Sequence, residues 1–400
     1  MRILVVQETD WLNGLPLQSH HIMEYLASRG HEVTIVDYEA RWRRQDGCQH
    51  FTKRVFPAIS RTGSGSSVRL IRPGMIKAPG VARLTSAPGQ FRSIFEQMAR
   101  HCDVVVLYSV PTNGFQTLLS SRILGRPVLF HSFDVLHRMT GHRSLVAPTW
   151  TFERFVYRRV DKIVVISTAL RDYMKSIGVR ENNIALVPPA VDTNRFHPSV
   201  SGDRFRKSIG LSIYDTVVLF SGWLYEFSGL DMVIQSLMQL IDEIPQLKLV
   251  VCGDGPQLDE LQRLRNRLEL KDQVKILGRL PFSEMPRVIA SADLCINPYL
   301  QDVRSNHAFP SKIAEYMAEG KPVLATDLPG TRSLLPPQSG VELVPPSQFI
   351  GKMRDMIVSE DQRAKSGRAG RKYCEANFSI ESVGDLFEQT LDSLIRRQIQ

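Results

Sequence analysis

Short apolar runs alternate along this chain with helical patterns, and polar or glycine-rich loops join them. Ile3–Val6 predicts a strand and Asn13-Gly14-Leu15-Pro16 a loop. Residues from about Leu17 to Arg29 predict a helix closed by Gly30, and Val33–Val36 a second strand ended by Asp37. Asp103–Leu107, Pro127–Phe130 and Lys162–Ile166 are further strand-like runs separated by helix-compatible sequence, as a parallel doubly wound sheet requires. Between Val187 and Pro198 the chain turns proline-rich, and then the alternation restarts. Strands are predicted at Thr216–Phe220, Lys248–Cys252, Val274–Leu277, Asp293–Ile296 and Pro322–Thr326, and helices at Asp231–Leu240, Gln257–Leu268 and Ser311–Glu319. The pattern predicts an α/β fold of two Rossmann-like doubly wound parallel-sheet domains, 1–195 and 196–374. A helical tail over about 375–400 is expected to pack back on the first.

The length fits this division, since 400 residues exceed one ordinary core. An apolar fraction of 43% and a charged fraction of 23% are those of a folded globular chain. No run approaches the ~18 apolar residues of a spanning helix. The apolar run behind Met1-Arg2 is too short for a secretory leader, so the expected location is cytoplasmic. The five cysteines are scattered without a C-x-x-C spacing, which argues for reduced, packed thiols rather than a metal or redox site.

Charge adds one feature. The net charge of +9 implies an anionic partner. Arg43, Arg44, Lys53, Arg54, Arg61, Arg69, Arg72, Lys77 and Arg83 face a single acid, Asp46, in the stretch 41–92 around Arg61-Thr-Gly-Ser-Gly-Ser-Ser67. This reads as one basic, loop-rich segment. Its functional reading is peripheral contact with an anionic membrane on the cytoplasmic face, at ~1 kcal/mol per cation near the surface. The alternative is a solvated insertion. Signatures of nucleic-acid binding with interleaved aromatics are missing, so no nucleic-acid partner is expected.

Ligands of open parallel sheets sit beyond the carboxyl ends of the strands. Four clusters lie there: Asn13-Gly14, the loop Gly222-Trp-Leu-Tyr-Glu-Phe-Ser-Gly229, Gly253-Asp-Gly-Pro256, and Phe309-Pro-Ser-Lys-Ile-Ala-Glu-Tyr-Met-Ala-Glu-Gly-Lys-Pro-Val-Leu-Ala-Thr-Asp327. Glycine lets backbone approach a ligand, and a following helix offers free N–H groups to phosphate. Each of the first three also suits a plain turn. In the fourth, Pro310 and Ser311 start a helix and Gly320 stops it. Lys312 and Glu315, three apart, share one face near its positive end. A surface ion pair worth ~0.2–0.5 kcal/mol is the bland reading of those two.

Taken in order, these segments resemble the family 4 retaining glycosyltransferases. The resemblance is carried by Asp161-Lys-Ile-Val-Val-Ile-Ser167, Asn183-Ile-Ala-Leu-Val-Pro-Pro-Ala-Val-Asp192, Phe196-His-Pro198, Gly253-Asp-Gly-Pro256, Val274-Lys-Ile-Leu-Gly-Arg279 and Glu315-Tyr-Met-Ala-Glu-Gly-Lys-Pro-Val323. It implies a GT-B fold with domains facing across a cleft. It also implies a nucleotide-sugar donor of the UDP or GDP type on the second domain, a glycan or lipid-linked acceptor on the first, and no metal or other cofactor. Glu315 matches the second glutamate of the E-x7-E motif, which accepts hydrogen bonds from ribose. The base is implied to lie near Arg279 and Leu280, with Gly253 allowing approach, and Asp134 to face the sugar.

The chain departs from the family pattern in three places. Trp223 and Ser228 stand where G-R-L-x-x-x-K-G supplies cations for the diphosphate, His307 replaces the first glutamate of E-x7-E, and Phe133 replaces the histidine before Asp134. A diphosphate leaving group still needs positive potential. Lys312 is the first candidate and Arg304 the second, with the helix N-termini after Gly229 and Pro310 sharing the task. The donor-side set is therefore Gly14, Gly222, Ser228, Gly253, Arg279, Leu280, His307, Pro310, Ser311, Lys312 and Glu315; the catalytic set is Asp134, Lys312 and His131, and His137 also flanks Asp134. A lipid monophosphate sugar as donor, or a non-catalytic donor-binding or scaffold role in a glycosylation complex, is the other reading.

Overall fold

The structure, a computed structural model, describes residues 1–13, 16–39, 53–63, 65–74, 82–100, 102–108, 113–140 and 143–399, with 82–86, 398 and 399 described by backbone alone. The chain divides into two compact units, Met1–Pro188 with Ile380–Gln400, and Pro189–Ser379.

The first unit opens with β1 (Arg2–Val6), α1 (Gln18–Ser28) and β2 (Glu32–Val36). These form a βαβ unit in which Val5 lies opposite Ile35. Next come β3 (Arg54–Ile59) and β4 (Val68–Arg72), an antiparallel hairpin whose second strand runs parallel to β2. The reading of this stretch as loop-rich is corrected, because Val68, Leu70 and Ile71 are buried and extend the sheet. Several of its cations are engaged as well, while Arg69 is exposed. Buried Arg72 pairs with Asp10 at 2.6 Å and Asp37 at 2.5 Å, Arg54 with Glu39 at 2.8 Å, and Lys53 with Glu96 at 3.1 Å. The guanidinium of Arg61 donates to the carbonyls of Trp11 and Leu12, and its backbone N–H to Glu24. Charges neutralised at such range project little field outward. Arg43, Arg44, Lys77 and the Arg83 side chain lie outside what is described.

The unit continues through α2 (Ala82–Arg100), β5 (Val104–Leu107), α3 (Gly114–Leu124), β6 (Val128–Ser132), α4 (Arg143–Tyr157), β7 (Lys162–Val165), α5 (Thr168–Ser176) and β8 (Ile184–Leu186). The described strands follow the order β3-β4-β2-β1-β5-β6-β7-β8, so the winding reverses between β1 and β5. Every residue of β5 and β6 is buried, which is why such strands read as unbroken apolar runs.

The second unit holds α6 (Asp203–Ser208), β9 (Thr216–Ser221), α7 (Leu230–Glu243), β10 (Leu247–Cys252), α8 (Leu258–Arg267), β11 (Val274–Gly278), α9 (Met285–Ala290) and β12 (Leu294–Asn297). It goes on with α10 (Val303–His307), α11 (Ser311–Ala318), β13 (Val323–Thr326), α12 (Pro329–Arg332), β14 (Val341–Val344), α13 (Phe349–Val358) and α14 (Glu360–Asn377). Its strands, all parallel, take the order β11-β10-β9-β12-β13-β14, the Rossmann winding with its reversal between β9 and β12. Phe220, Leu249 and Ile296 from the strands pack with Leu237 and Met353 from the helices in one core.

The tail is two helices rather than one. α14 ends at Asn377, the Phe378 carbonyl accepts the Val191 N–H at 2.8 Å, and α15 (Ile380–Ile399) begins afresh on the first unit. There the Tyr25 hydroxyl donates to Asp385 at 2.7 Å, and His31 Nε2 lies 2.9 Å from Glu388. Among the described residues no helix is long and apolar enough to cross a membrane.

Candidate active site

In the second sheet the winding reverses between β9 and β12, where an open α/β sheet leaves a crevice for ligand. Gly222 follows β9, Pro298 and Tyr299 follow β12, and the Lys312 side chain on α11 lies between them. Its ammonium donates to the Tyr299 hydroxyl at 3.1 Å and stands 3.6 Å from the centre of the Phe220 ring. Gly222 has φ of 128°, a conformation open to glycine, and a Cβ there would meet Lys312 Cε at 2.9 Å.

α11 is locked to the end of β9 by Tyr316, whose hydroxyl accepts the Ser221 N–H at 2.7 Å and lies 3.0 Å from its Oγ. Tyr316 is four residues after Lys312, so this one contact fixes the helical face that carries the lysine. Burial pushes the Lys312 ammonium well below its usual range, and Glu315 only partly offsets it. Glu315 is half-buried, deep enough for desolvation to raise it to about 7 against the pull of Lys312. At the last residue of β12, the amide of buried Asn297 has neither its Nδ2 nor its Oδ1 in a hydrogen bond. A lysine held away from water and an unsatisfied amide, both at the carboxyl edge of this sheet, are groups that an anionic, hydrogen-bonding ligand can engage.

The other second-unit candidates divide. Gly253 follows β10, and a Cβ there would run into the Gly222 carbonyl, so this glycine lets two strand-end loops touch each other. Arg279, exposed, and Leu280, half-buried, follow β11. Pro310 precedes α11 and exposed Ser311 begins it. Half-buried His307 ends α10 with Nδ1 2.8 Å from the Val303 carbonyl. Ser228 is fully buried and its Oγ accepts the Tyr225 N–H at 2.9 Å, so its hydroxyl closes the loop instead of serving a ligand. Trp223 is half exposed. Arg304 pairs with Asp302 at 2.9 Å and Glu226 at 3.5 Å, which cancels the charge it was expected to offer.

In the first unit, Asp134 follows β6 and burial raises it to about 6. His131 lies within β6, buried, with Nδ1 3.2 Å from the Tyr108 hydroxyl and its ring 4.4 Å from that of Phe133. Burial lowers it to about 3, so it is neutral near pH 7. His137 is a structural partner rather than a replacement for the absent neighbour of Asp134: its Nδ1 lies 2.8 Å from buried Glu153, which also accepts its N–H. Gly14 lies outside the described residues. Sequence reasoning missed Asn297 and Tyr299, although the strand-end rule that found Gly222 applies to both.

Two family profiles match in series, "Glycosyl transferase 4-like domain" over residues 13–190 and "Glycosyl transferases group 1" over 215–359. The chain thus carries two glycosyltransferase-family domains in series. The chain is 28% identical over 251 residues to a GDP-mannose-dependent monoacylated alpha-(1-6)-phosphatidylinositol monomannoside mannosyltransferase of Corynebacterium glutamicum, covering 60% of this chain and 64% of that one. It is 24% identical over 336 residues to a phosphatidylinositol N-acetylglucosaminyltransferase component of Homo sapiens, covering 81% of this chain and 61% of the relative. The match thus spans less than two thirds of either relative's length. In fold, it matches Anabaena Alr3699/HepE, solved in complex with UDP and glucose, with TM-score 0.74, 19% identity, and coverage of 98% of this chain and 100% of that one. The fold is GT-B.

Proposed function

We propose that this protein transfers a glycosyl group from a UDP- or GDP-type nucleotide sugar to a lipid-linked or saccharide acceptor in glycan or cell-envelope biosynthesis, with retention of configuration and without a metal. The observation that carries the reading is the Lys312 ammonium at the β9–β12 reversal, beside the Gly222 backbone and one helical turn from Glu315. A departing diphosphate gains negative charge as its bond to the anomeric carbon breaks, and a pre-placed amine that the diphosphate holds protonated, with the first amides of α11, lowers that barrier. Lys312 takes the place of the cations that Trp223 and Ser228 do not supply. Glu315 accepts from the ribose hydroxyls, and the base rests near Arg279 and Leu280.

The acceptor oxygen attacks on the face the leaving group vacates. Its bond to the anomeric carbon forms as the phosphate bond breaks, and its proton passes to the departing phosphate oxygen. Asp134 faces the sugar, while neutral His131 orients Tyr108 and Phe133 around it. The phosphatidylinositol-linked acceptors in the relatives' names support a lipid-linked acceptor, and with it a cytoplasmic protein working at the inner face of a membrane.

The full chain is tested against UDP- and GDP-sugars by thermal shift, where donor at 100 times its dissociation constant stabilises by ~2.7 kcal/mol. Transfer is then measured with chelator present and the product anomer assigned. An inverted product removes retention, and loss of transfer to chelator restored by divalent ions removes metal independence. Binding without transfer or hydrolysis assigns the non-catalytic reading.

A further inference from the structure

The first unit carries an apolar surface that the core does not use. On α3, Phe115, Leu119 and Ile123 are spaced four apart and share one face. On α4, Leu145 and Phe152 are seven apart, and Phe155 lies three further on the same side. The rings of Phe115 and Phe155 meet at 6.2 Å, joining the two stripes into one patch. Five of these six side chains are 39–60% exposed, Phe155 being half-buried. The first two thirds of α4 are nearly bare, with Thr149 the only buried residue from Arg143 to Phe152.

Charge identifies what covers it. Between Gly114 and Arg159 the sequence has seven arginines and only two acids, Asp134 and Glu153. The Glu153 side chain is fully buried and Asp134 is half-buried. Arg122, Arg143, Arg154, Arg158 and Arg159 are exposed, and none forms an ion pair among the described residues. Arg154 lies over the ring of Trp150 at 5.4 Å and Arg159 over Phe155 at 4.0 Å, so cations border the apolar groups directly. Seated on a second copy of itself, the face would set arginine against arginine, with no exposed acid of the same stretch to pair with them. Aromatic and aliphatic side chains rimmed by arginines suit the headgroup boundary of an anionic bilayer, where apolar groups sink ~5–10 Å and guanidinium groups reach phosphates.

The geometry points to the α3–α4 face as a docking surface for an anionic lipid bilayer. On the β3–β4 hairpin Arg54, Arg61 and Arg72 are instead engaged within the unit, while Arg69 is exposed. Docking does not depend on glycosyl transfer and is read without donor.

The full chain is floated with vesicles of phosphatidylcholine alone or with added phosphatidylglycerol. It is expected to float with the anionic vesicles only, and to be released at high salt. Leu145→Ser with Phe152→Ser lowers partition more than about tenfold, because each loses the transfer of an apolar side chain. Arg154→Gln and Arg159→Gln lower it about fivefold each. These side chains face solvent, so the variants keep the wild-type melting temperature and donor-induced thermal shift. Three results overturn the proposal. One is absence of flotation with anionic vesicles, and another is wild-type flotation of these variants, whether or not Arg43→Gln with Arg44→Gln abolishes it. The third is a dimer in solution that Leu145→Ser with Phe152→Ser makes monomeric without vesicle binding, which assigns the face to a second copy.

Discussion

A methyl group on Gly222 would stand 2.9 Å from Cε of Lys312 and 3.0 Å from its Nζ. The absence of a side chain at the end of β9 is therefore what lets the lysine reach the crevice where the sheet reverses. Gly222→Ala forces a strained φ of 128° and displaces the ammonium together, at a cost of about 1–3 kcal/mol in the fold. Donor affinity is expected to fall about tenfold or more, one lost charge-assisted contact, read by calorimetric titration beside a denaturant melt. Unchanged affinity in a destabilised variant would detach Lys312 from the donor.

Lys312→Met should separate activity from stability. Holding an ammonium out of water opposes folding, so an apolar side chain of similar length leaves the melting temperature unchanged or raises it. Turnover should fall about 10²–10³-fold if the cation stabilises the leaving diphosphate. A variant that melts early yet turns over normally reverses both expectations.

Donor binding should be bounded on two sides in pH. The Lys312 ammonium is depressed by burial in the free protein, and an adjacent diphosphate raises it again. A proton is then taken up on binding, and affinity declines as pH rises. Glu315 is raised to about 7, and ribose hydroxyls donating to it favour the carboxylate. A proton is released there, and affinity declines as pH falls below about 7. Glu315→Gln should remove the acid limb and keep the alkaline one. Folding follows a separate sign: because the folded value is raised, the stability linked to Glu315 is lost between the ordinary carboxylate range and about pH 7, and is flat above it. Calorimetry in buffers of different ionisation heat counts the protons.

The strands were legible because those buried on both faces are unbroken apolar runs, as Val104–Leu107 and Val128–Ser132 are. The β3–β4 hairpin was not, since Arg54 and Arg72 look solvated until Asp10, Asp37 and Glu39 arrive from other loops. The edge strands Ile184–Leu186 and Val341–Val344, three and four residues long, are too short for their apolar runs to stand out. At the site, Lys312 and Glu315 were readable from spacing on one helix. The inward hydroxyl of Ser228 depends on the Tyr225 amide, and the role of Gly222 on a lysine ninety residues away in sequence; neither has a local signal.

Glu153 gives a prediction about the other half of the reaction. Its buried carboxylate accepts the His137 N–H at 2.5 Å, lies 2.8 Å from His137 Nδ1, and accepts the Tyr173 hydroxyl at 3.0 Å. It thereby ties α4 and α5 to the turn that begins three residues earlier at Asp134. Glu153→Ala strands these groups away from water, at about 1–3 kcal/mol for each donor left unsatisfied. Glu153→Gln keeps one acceptor oxygen and should lose less. Because Asp134 is proposed to face the sugar, Glu153→Gln should lower kcat while leaving the dissociation constant for the nucleotide unchanged, since Lys312 and Glu315 sit on the other unit. Steady-state kinetics with nucleotide titration separates the two. A variant that weakens nucleotide binding and spares kcat would place Glu153 outside any role in orienting Asp134.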